Sequence, residues 1–373
     1  NIKTGKILDI NNTNDIENNP FYNITHDPQK NGRIVNICSS LCYKKEEMLI
    51  YLTHNNHLYE NGVLIATEVN SFIIFKHFLL FTQLSSSPYS TLHLIDLNEP
   101  KTIENFKKLN EGKNTNLLYK QNLNYKDFYM RTLERGAVLV CCSGIKLILQ
   151  MPRGNLETIS PRLIVLDEIK KDVLNQHYEK AFSLCRKNKI NLNLIYDINP
   201  DLFMNNLSKF ITEVKKEDYL NLFLNSLIDD YCEEFKILFN YNKGISEINK
   251  NNTNTKTNKI CIAIRKLLLT ENNKSSGDYL STILITYIKQ NPHLYLDALK
   301  LVQKLKIENK TEKADKALEF LCWMVNANTL FDFALITYDF ELVIMVAKHT
   351  QKDPKEYLKY LNELEEIKKT VIK

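Results

Sequence analysis

The chain has 373 residues, with 49 Lys and Arg against 44 Asp and Glu and a net charge of +5. That length exceeds one ordinary compact domain, so two domains or an extended array are expected. Hydrophobic residues at 44% and charged residues at 25% exclude a mainly disordered or collagen-like chain, and nine Gly and nine Pro disfavour a glycine-rich nucleotide-binding fold.

The first part reads as strands. His57 to Glu60, then Asn61-Gly62, then Val63 to Ala66 predicts a hairpin, because Asn-Gly supplies the positive φ angles of a tight two-residue turn. Ser71 to Phe75 and Phe78 to Thr82 follow as aromatic and β-branched runs, and Thr91 to Leu97 alternates. Gly136 to Cys142 and Lys146 to Met151 predict another strand pair around Ser143-Gly144. Short strands at this spacing indicate a sandwich, barrel or propeller. Lys101 to Lys126 is polar and reads as a long loop.

From Ser160 onward the apolar period is helical. Tyr178, Ala181, Phe182 and Cys185 make one stripe, and so do Leu318, Leu321, Cys322 and Val325. Leu342, Met345, Val346 and His349 make another, and Tyr219, Leu222, Phe223 and Leu227 nearly repeat the pattern. Ser160-Pro161, Asn291-Pro292 and Asp353-Pro354 read as caps before a proline at the first helical position, with Glu356 completing a capping box with Asp353. The count comes to about ten helices with short links, the pattern of an irregular α-solenoid. Within it, residues 241–259 are Asn- and Thr-rich and read as a disordered surface loop.

Little in this inventory carries chemistry. Cys38, Cys42, His54 and His57 come near a two-Cys two-His finger, but the histidines enter a strand rather than a helix, so no metal is expected. Cys141 and Cys142 read as part of a buried strand, and His177 and His349 as partly buried packing residues. Asp167-Glu168 and Glu365-Glu366 are adjacent carboxylates whose side chains diverge on a helix. No phosphate-binding loop, nucleophile elbow or zinc-protease motif is present, so the reading is a non-enzyme without cofactor. The positive charge is spread thinly, and no run reads as a nucleic-acid-binding arm. The eight cysteines fit reduced, buried thiols in a cytosolic protein; the location expected is the cytoplasm, or also the nucleus. The run from Ser71 to Leu84 is too short and too interrupted to span a bilayer. The opening Asn1 reads as the start of a fragment.

Leu133-Glu134-Arg135-Gly136-Ala137, followed by the run from Leu149 to Glu157, closely resembles the largest-subunit family of the Elongator complex. Further matching blocks follow in the family's order: Leu58 to Gly62, Val69 to Phe72, Phe78 to Leu80, Ile190 to Asp197 with Asn199-Pro200, Thr337 to Phe340, Val346-Ala347 and Gln351 to Leu358. The resemblance implies a partial WD-type β-propeller over residues 1–158, the last blades of a second propeller. An α-solenoid of TPR-like helix pairs follows over 159–373.

The role so implied is a scaffold for carboxymethyl-type modification of tRNA wobble uridine. Its partners would be a catalytic radical-SAM/acetyltransferase subunit and a second propeller-rich subunit. Contact with tRNA would come through the assembled complex, and homodimerisation through a region outside the match. The residues expected to touch partners are Met151, Arg153, Asn155 and Glu157 at the junction, where fixing the angle between propeller and solenoid is the plainer role, Asn193, Tyr196 and Asp197 after a helix end, where turn closure is the alternative, and Tyr338, Asp339 and Lys352. For Tyr338 and Asp339 the plainer expectation is a cap with a buried aromatic. A trafficking-coat scaffold shares the propeller-then-solenoid plan, and direct tRNA binding is the other alternative.

Overall fold

The computed structural model describes residues 34–41, 47–84, 88–98, 129–239, 255–271, 279–350 and 353–371. They fall into two compact units divided between Glu168 and Ile169.

The first unit carries three antiparallel sheets, each a meander in chain order. β1 (Ile34–Leu41), β2 (Glu47–Thr53), β3 (Leu58–Glu60) and β4 (Val63–Ala66) form one. β5 (Val69–Phe75), β6 (Phe78–Leu84), β7 (Tyr89–Asp96) and β8 (Met130–Glu134) form the next. β9 (Val138–Ser143), β10 (Lys146–Gln150) and β11 (Leu156–Ile159) form a three-stranded third. Repeated four-stranded meanders are the blades of a partial propeller. The Asn-Gly turn is present, with Asn61 at φ 47° and Gly62 at φ 86°. Asn61 also ties the turn to β2: its side-chain oxygen accepts from Leu49 N–H at 2.8 Å, and its own N–H donates to Leu49 O at 2.9 Å.

β6 is buried from Phe78 through Thr82, as a strand covered on both faces must be. Ile50, Leu58, Ile65, Phe72, Leu79 and Phe81 pack in one core drawn from the first two sheets. The third sheet joins the second through small polar side chains. Leu139 N–H donates to Ser71 Oγ at 2.9 Å, Gly136 N–H to Ser90 Oγ at 3.0 Å, and Asn70 Nδ2 to Ala137 O at 3.2 Å.

His93 on β7 is buried and stacks on Phe81 with ring centroids 4.9 Å apart. Burial pushes its pKa down to about 4. The unfolded chain takes up a proton near the ordinary histidine value, about 6.5, and the folded chain only near 4, so unfolding takes up a proton in between. The stability of the sheet unit is therefore full above that window and falls as pH drops through it, by about 3 kcal/mol at the acid end. Denaturant melts across the window measure this. His93→Phe keeps a stacked ring and is expected to flatten the slope; an unchanged slope would assign it to other groups.

The second unit is helical. α1 (Arg162–Leu174) begins before the division, and α2 (Tyr178–Lys187), α3 (Leu194–Asp197), α4 (Pro200–Asn205), α5 (Leu207–Val214), α6 (Glu217–Ser226) and α7 (Glu233–Leu238) follow. After residues 240–254 come α8 (Lys256–Glu271), α9 (Leu280–Lys289), α10 (Tyr295–Ile307), α11 (Thr311–Met324), α12 (Ala327–Ile336), α13 (Phe340–His349) and α14 (Pro354–Val371). α10 packs on α11 and α12, and α13 packs on both α11 and α12, so successive helix pairs stack on their neighbours. Leu284, Leu299, Leu318, Leu330, Leu342 and Val346 belong to the resulting core. An aromatic cluster fills the space among α2 to α6: Phe203 lies 5.0 Å from Phe210 and 5.7 Å from Phe223, with Tyr178 edge-on at 6.0 Å.

The α2 stripe of Tyr178, Ala181, Phe182 and Cys185 is the buried face as expected. Four readings change. The described residues hold fourteen helices rather than about ten, because short α3, α4 and α7 interrupt the regular pairs. The buried face of α6 is Leu220, Phe223 and Leu224, which leaves Leu222 44% exposed and Tyr219 half-buried. Neither Pro161 nor Pro292 is a first helical residue: α1 starts at Arg162, directly after Pro161, whose carbonyl accepts from Val165 N–H, and α10 starts at Tyr295, well after Pro292. The loop expected over 241–259 ends early. Residues 241–254 lie outside those described, but Lys256 to Lys259 form the first turn of α8.

The physical reason for that early helix is that its polar side chains find partners. Asn258 Nδ2 donates to Asn291 O at 2.7 Å while its Oδ1 accepts from Asn291 N–H at 2.9 Å. Asp229 Oδ1 accepts from Thr257 N–H at 2.9 Å, closing an orphan amide of the helix start. The polar run expected at Lys101 to Lys126 and the side chain of Glu356 also lie outside the described residues. Asp353 caps α14 as expected, its Oδ1 accepting from Lys355 N–H at 2.9 Å.

Candidate functional site

Residues 151–157 form a hairpin between β10 and β11 rather than a direct passage from strand to helix. Met151 is buried; its N–H donates to Asn155 O at 2.9 Å, and Gly154 N–H donates back to Met151 O at 2.8 Å. Gly154 sits at φ 87°, a left-handed position that favours glycine. The turn presents Arg153, Asn155 and Glu157 to solvent. Arg153 Nε lies 3.8 Å from Glu134 with its side chain 86% exposed, and Asn155 Nδ2 lies 3.5 Å from Glu157 Oε1. Such exposed polar groups are weakly held and open to a partner.

Asn193, Tyr196 and Asp197 lie in the interior instead. Asn193 is fully buried: its Oδ1 accepts from Ile228 N–H at 3.1 Å and its Nδ2 donates to Asn191 Oδ1 at 2.8 Å and to Ser226 O. Asp197 accepts from Cys232 N–H at 3.1 Å and from Lys256 Nζ at 2.7 Å. That ion pair is nearly dry, with side chains 9% and 0% exposed, and the same ammonium lies 5.4 Å from the Tyr196 ring. The three residues thus fasten α3 to the α6–α7 connection and to α8.

Asp339 is the N-cap of α13, accepting from Leu342 N–H at 3.1 Å, and Gln303 Nε2 donates to its other oxygen at 3.0 Å. Tyr338 is not the buried aromatic expected. It is 70% exposed at φ 54°, in the left-handed turn that separates α12 from α13. Lys352 lies outside the described residues.

Of the remaining reactive side chains, some hold the chain and others stand at the surface. Lys76, in the β5–β6 turn, lies 2.8 Å from Glu168 and 3.5 Å from Asp167, so these adjacent carboxylates converge on one ammonium. Burial pulls the Lys76 pKa down, but the hydrogen bond and charge of Glu168, with Asp167, outweigh it and raise the net value. His177 lies 3.6 Å from Asp172 and is half exposed, and His349 is exposed, so neither is a packing residue. Cys141 is exposed and Cys142 half-buried, against the expectation of a buried pair. Burial, then the neighbouring Cys141, push the Cys142 thiol up to about 11, which keeps it protonated and a poor nucleophile. Cys185 and Cys232 are buried and pushed up further, by burial first. His54 is exposed and His57 half-buried, while the side chains of Cys38 and Cys42 lie outside the described residues. Among the described residues no group of His, Cys, Asp or Glu is placed to hold a metal ion, and no helix is long and apolar enough to cross a membrane.

Comparison with known proteins places both units. A family model described as the ELP1 alpha-solenoid matches residues 162–364, and one described as the ELP1 N-terminal second beta-propeller matches residues 4–140. Elongator complex protein 1 of Saccharomyces cerevisiae is 36% identical over 338 residues, covering 84% of this chain and 23% of its own length. The Schizosaccharomyces pombe protein is 32% identical over 318 residues (85% and 24%), and that of Rattus norvegicus 33% over 328 (86% and 23%). The chain spans about a quarter of the length of these relatives. With blade-like meanders and stacked helix pairs each matching its own domain in the same order, the chain belongs to the Elongator complex protein 1 family.

Proposed function

We propose that this chain is a non-catalytic scaffold part of the Elongator complex. In this reading it holds a catalytic radical-SAM/acetyltransferase subunit and a second propeller-rich subunit for carboxymethyl-type modification of tRNA wobble uridine. The observation that carries the reading is the ordered match to both family domains, reinforced by what the polar side chains do. Asp167, Glu168, Asp197 and Asp339 hold lysines, amides and helix ends. Helix pairs and blades offer long rigid surfaces, which suit large protein contacts.

The division of labour between residues 1–158 and 159–373 is part of the proposal. So is a placement of partner contacts at exposed Arg153, Asn155, Glu157 and Tyr338, with Met151, Asn193, Tyr196, Asp197 and Asp339 acting through the backbone they hold. The tRNA contact belongs to the assembled complex, and the intact protein forms a homodimer. Its place is the cytoplasm, or also the nucleus.

The test is affinity purification of the intact protein, with mass spectrometry of wobble nucleosides after its depletion. Copurification of the catalytic subunit, loss of modified uridine and intact secretion are expected. Absence of that subunit would end the scaffold reading, and a secretion defect with normal uridines would favour a trafficking coat.

A further inference from the structure

Two stretches far apart in sequence bring their cations to one place in the helical unit. Arg186, Lys187 and Lys189 end α2, and Lys215 and Lys216 link α5 to α6; all five are exposed. What joins them is Tyr219. The Arg186 guanidinium lies 4.2 Å from the ring centroid and the Lys216 ammonium 5.3 Å, with Phe182 packed on the same ring at 5.4 Å. A hydrogen bond from Arg186, with the charges of Arg186 and Lys216, draws the phenol below its ordinary range, so the two cations act on one spot.

Beside this cluster opens a groove of about 580 Å³. Cys185, Ile190 and Leu192 line it as buried apolar groups, and Leu222 lines it while 44% exposed. Arg186 and Lys189 stand on its rim. Its acidic member, Glu234, is buried and turned to the backbone, accepting from Asn191 N–H at 3.4 Å. Glu217 and Asp218 follow Lys216 in the first turn of α6, but the groove's own lining pairs exposed Arg186 and Lys189 with an exposed leucine, which together suit a ligand that is both apolar and anionic.

We propose that this groove docks a short acidic–aliphatic segment of a partner protein, an aliphatic side chain covering Leu222 and Leu192 while carboxylates meet Arg186, Lys189 and Lys216. A protein segment fits better than nucleic acid. Strand-binding surfaces offer bare aromatic faces for bases, whereas the Tyr219 ring is taken up by Arg186, Lys216 and Phe182. The apolar floor has no use for a phosphate backbone. The inference stands on the groove and not on the scaffold reading.

The test is fluorescence anisotropy of the intact protein with a labelled peptide of alternating glutamate and leucine, beside an all-glutamate peptide and a tRNA transcript. Saturable binding of the alternating peptide is expected, weakening with salt. The pair Arg186→Glu and Lys189→Glu is expected to weaken it about tenfold, and Leu222→Ser several-fold. Both sets of changes are at exposed positions, and unchanged thermal melts confirm that the fold is kept. Equal binding of the all-glutamate peptide would overturn the apolar component. Indifference to the charge reversals would overturn the site. Tighter tRNA binding that the same reversals abolish would make this a nucleic-acid surface and overturn the proposal.

Discussion

Phe203→Ala is expected to destabilise the helical unit by about 3–5 kcal/mol. The side chain is fully buried and sits among four rings: Tyr178 at 6.0 Å, Tyr196 at 5.7 Å, Phe210 at 5.0 Å and Phe223 at 5.7 Å. Removing it forfeits the transfer of an aromatic side chain from water and opens a cavity that five helices must tolerate. It also ends edge and tilted ring contacts that add about 0.5–1.5 kcal/mol per pair beyond buried area. The position is sensitive for a further reason. α4 has six residues, and Phe203 is its buried anchor, the helix start being held by Asn199 Oδ1 accepting from Leu202 N–H at 3.0 Å. So short a helix has little stability of its own and depends on packing. Denaturant unfolding followed by far-ultraviolet circular dichroism measures the loss. Phe203→Leu, which keeps volume without the ring, is expected to cost a fraction of it. A cost for the alanine variant below about 1 kcal/mol would mean that the rings do not form one packed body.

Where local chemistry decides the structure, the sequence was readable. Asn61-Gly62 forms its turn because asparagine and glycine both adopt the positive φ angles it requires at little cost. The α2 stripe is buried because two aromatic and two small apolar side chains at helical spacing leave one face no alternative. Legibility failed where the deciding partner is distant. β8 and β11 are short strands whose pairing with β7 and β10 compensates for a weak pattern of their own. Lys256 to Lys259 read as loop because their polar side chains look unburiable, and the residues that make burial tolerable, Asp197, Asp229 and Asn291, lie well away in the chain. Tyr219 and Leu222 read as core because the period alone cannot fix which of two adjacent faces turns inward. The true face is set by Phe223 meeting Phe203 and Phe210. The cation cluster was hidden in the same way: neither stretch is a basic arm alone, and Tyr219 joins them only in the fold.

The candidate site shows a related division. Motifs that read as family signatures split into an exposed set, Arg153, Asn155, Glu157 and Tyr338, and a buried set, Met151, Asn193, Tyr196 and Asp197. Sequence cannot separate them, since polar residues that close a turn internally and polar residues that greet a partner are the same residue types. Burial separates them, and it assigns the second set to the architecture.

Within that buried set, Asp197→Ala is expected to cost about 3–5 kcal/mol, because it leaves the Lys256 ammonium almost dry and without its counter-charge. It also removes the acceptor of Cys232 N–H at 3.1 Å, just where α7 begins. The Tyr196 ring, 5.4 Å from the ammonium, compensates only in part. Lys256→Met reverses the problem by stranding the carboxylate, though Cys232 N–H still donates to it, so a somewhat smaller loss is expected. The double variant is expected to lose less than the sum of the two, since neither charge is then left alone, and an apolar pair of similar volume often packs as well as a buried ion pair. Denaturant melts of the four proteins give the coupling, and hydrogen exchange of the amides at 256–260 reports whether the first turn of α8 is released. Strict additivity of the two single changes, with those amides equally protected throughout, would show that the pair does not fasten α8 to α3.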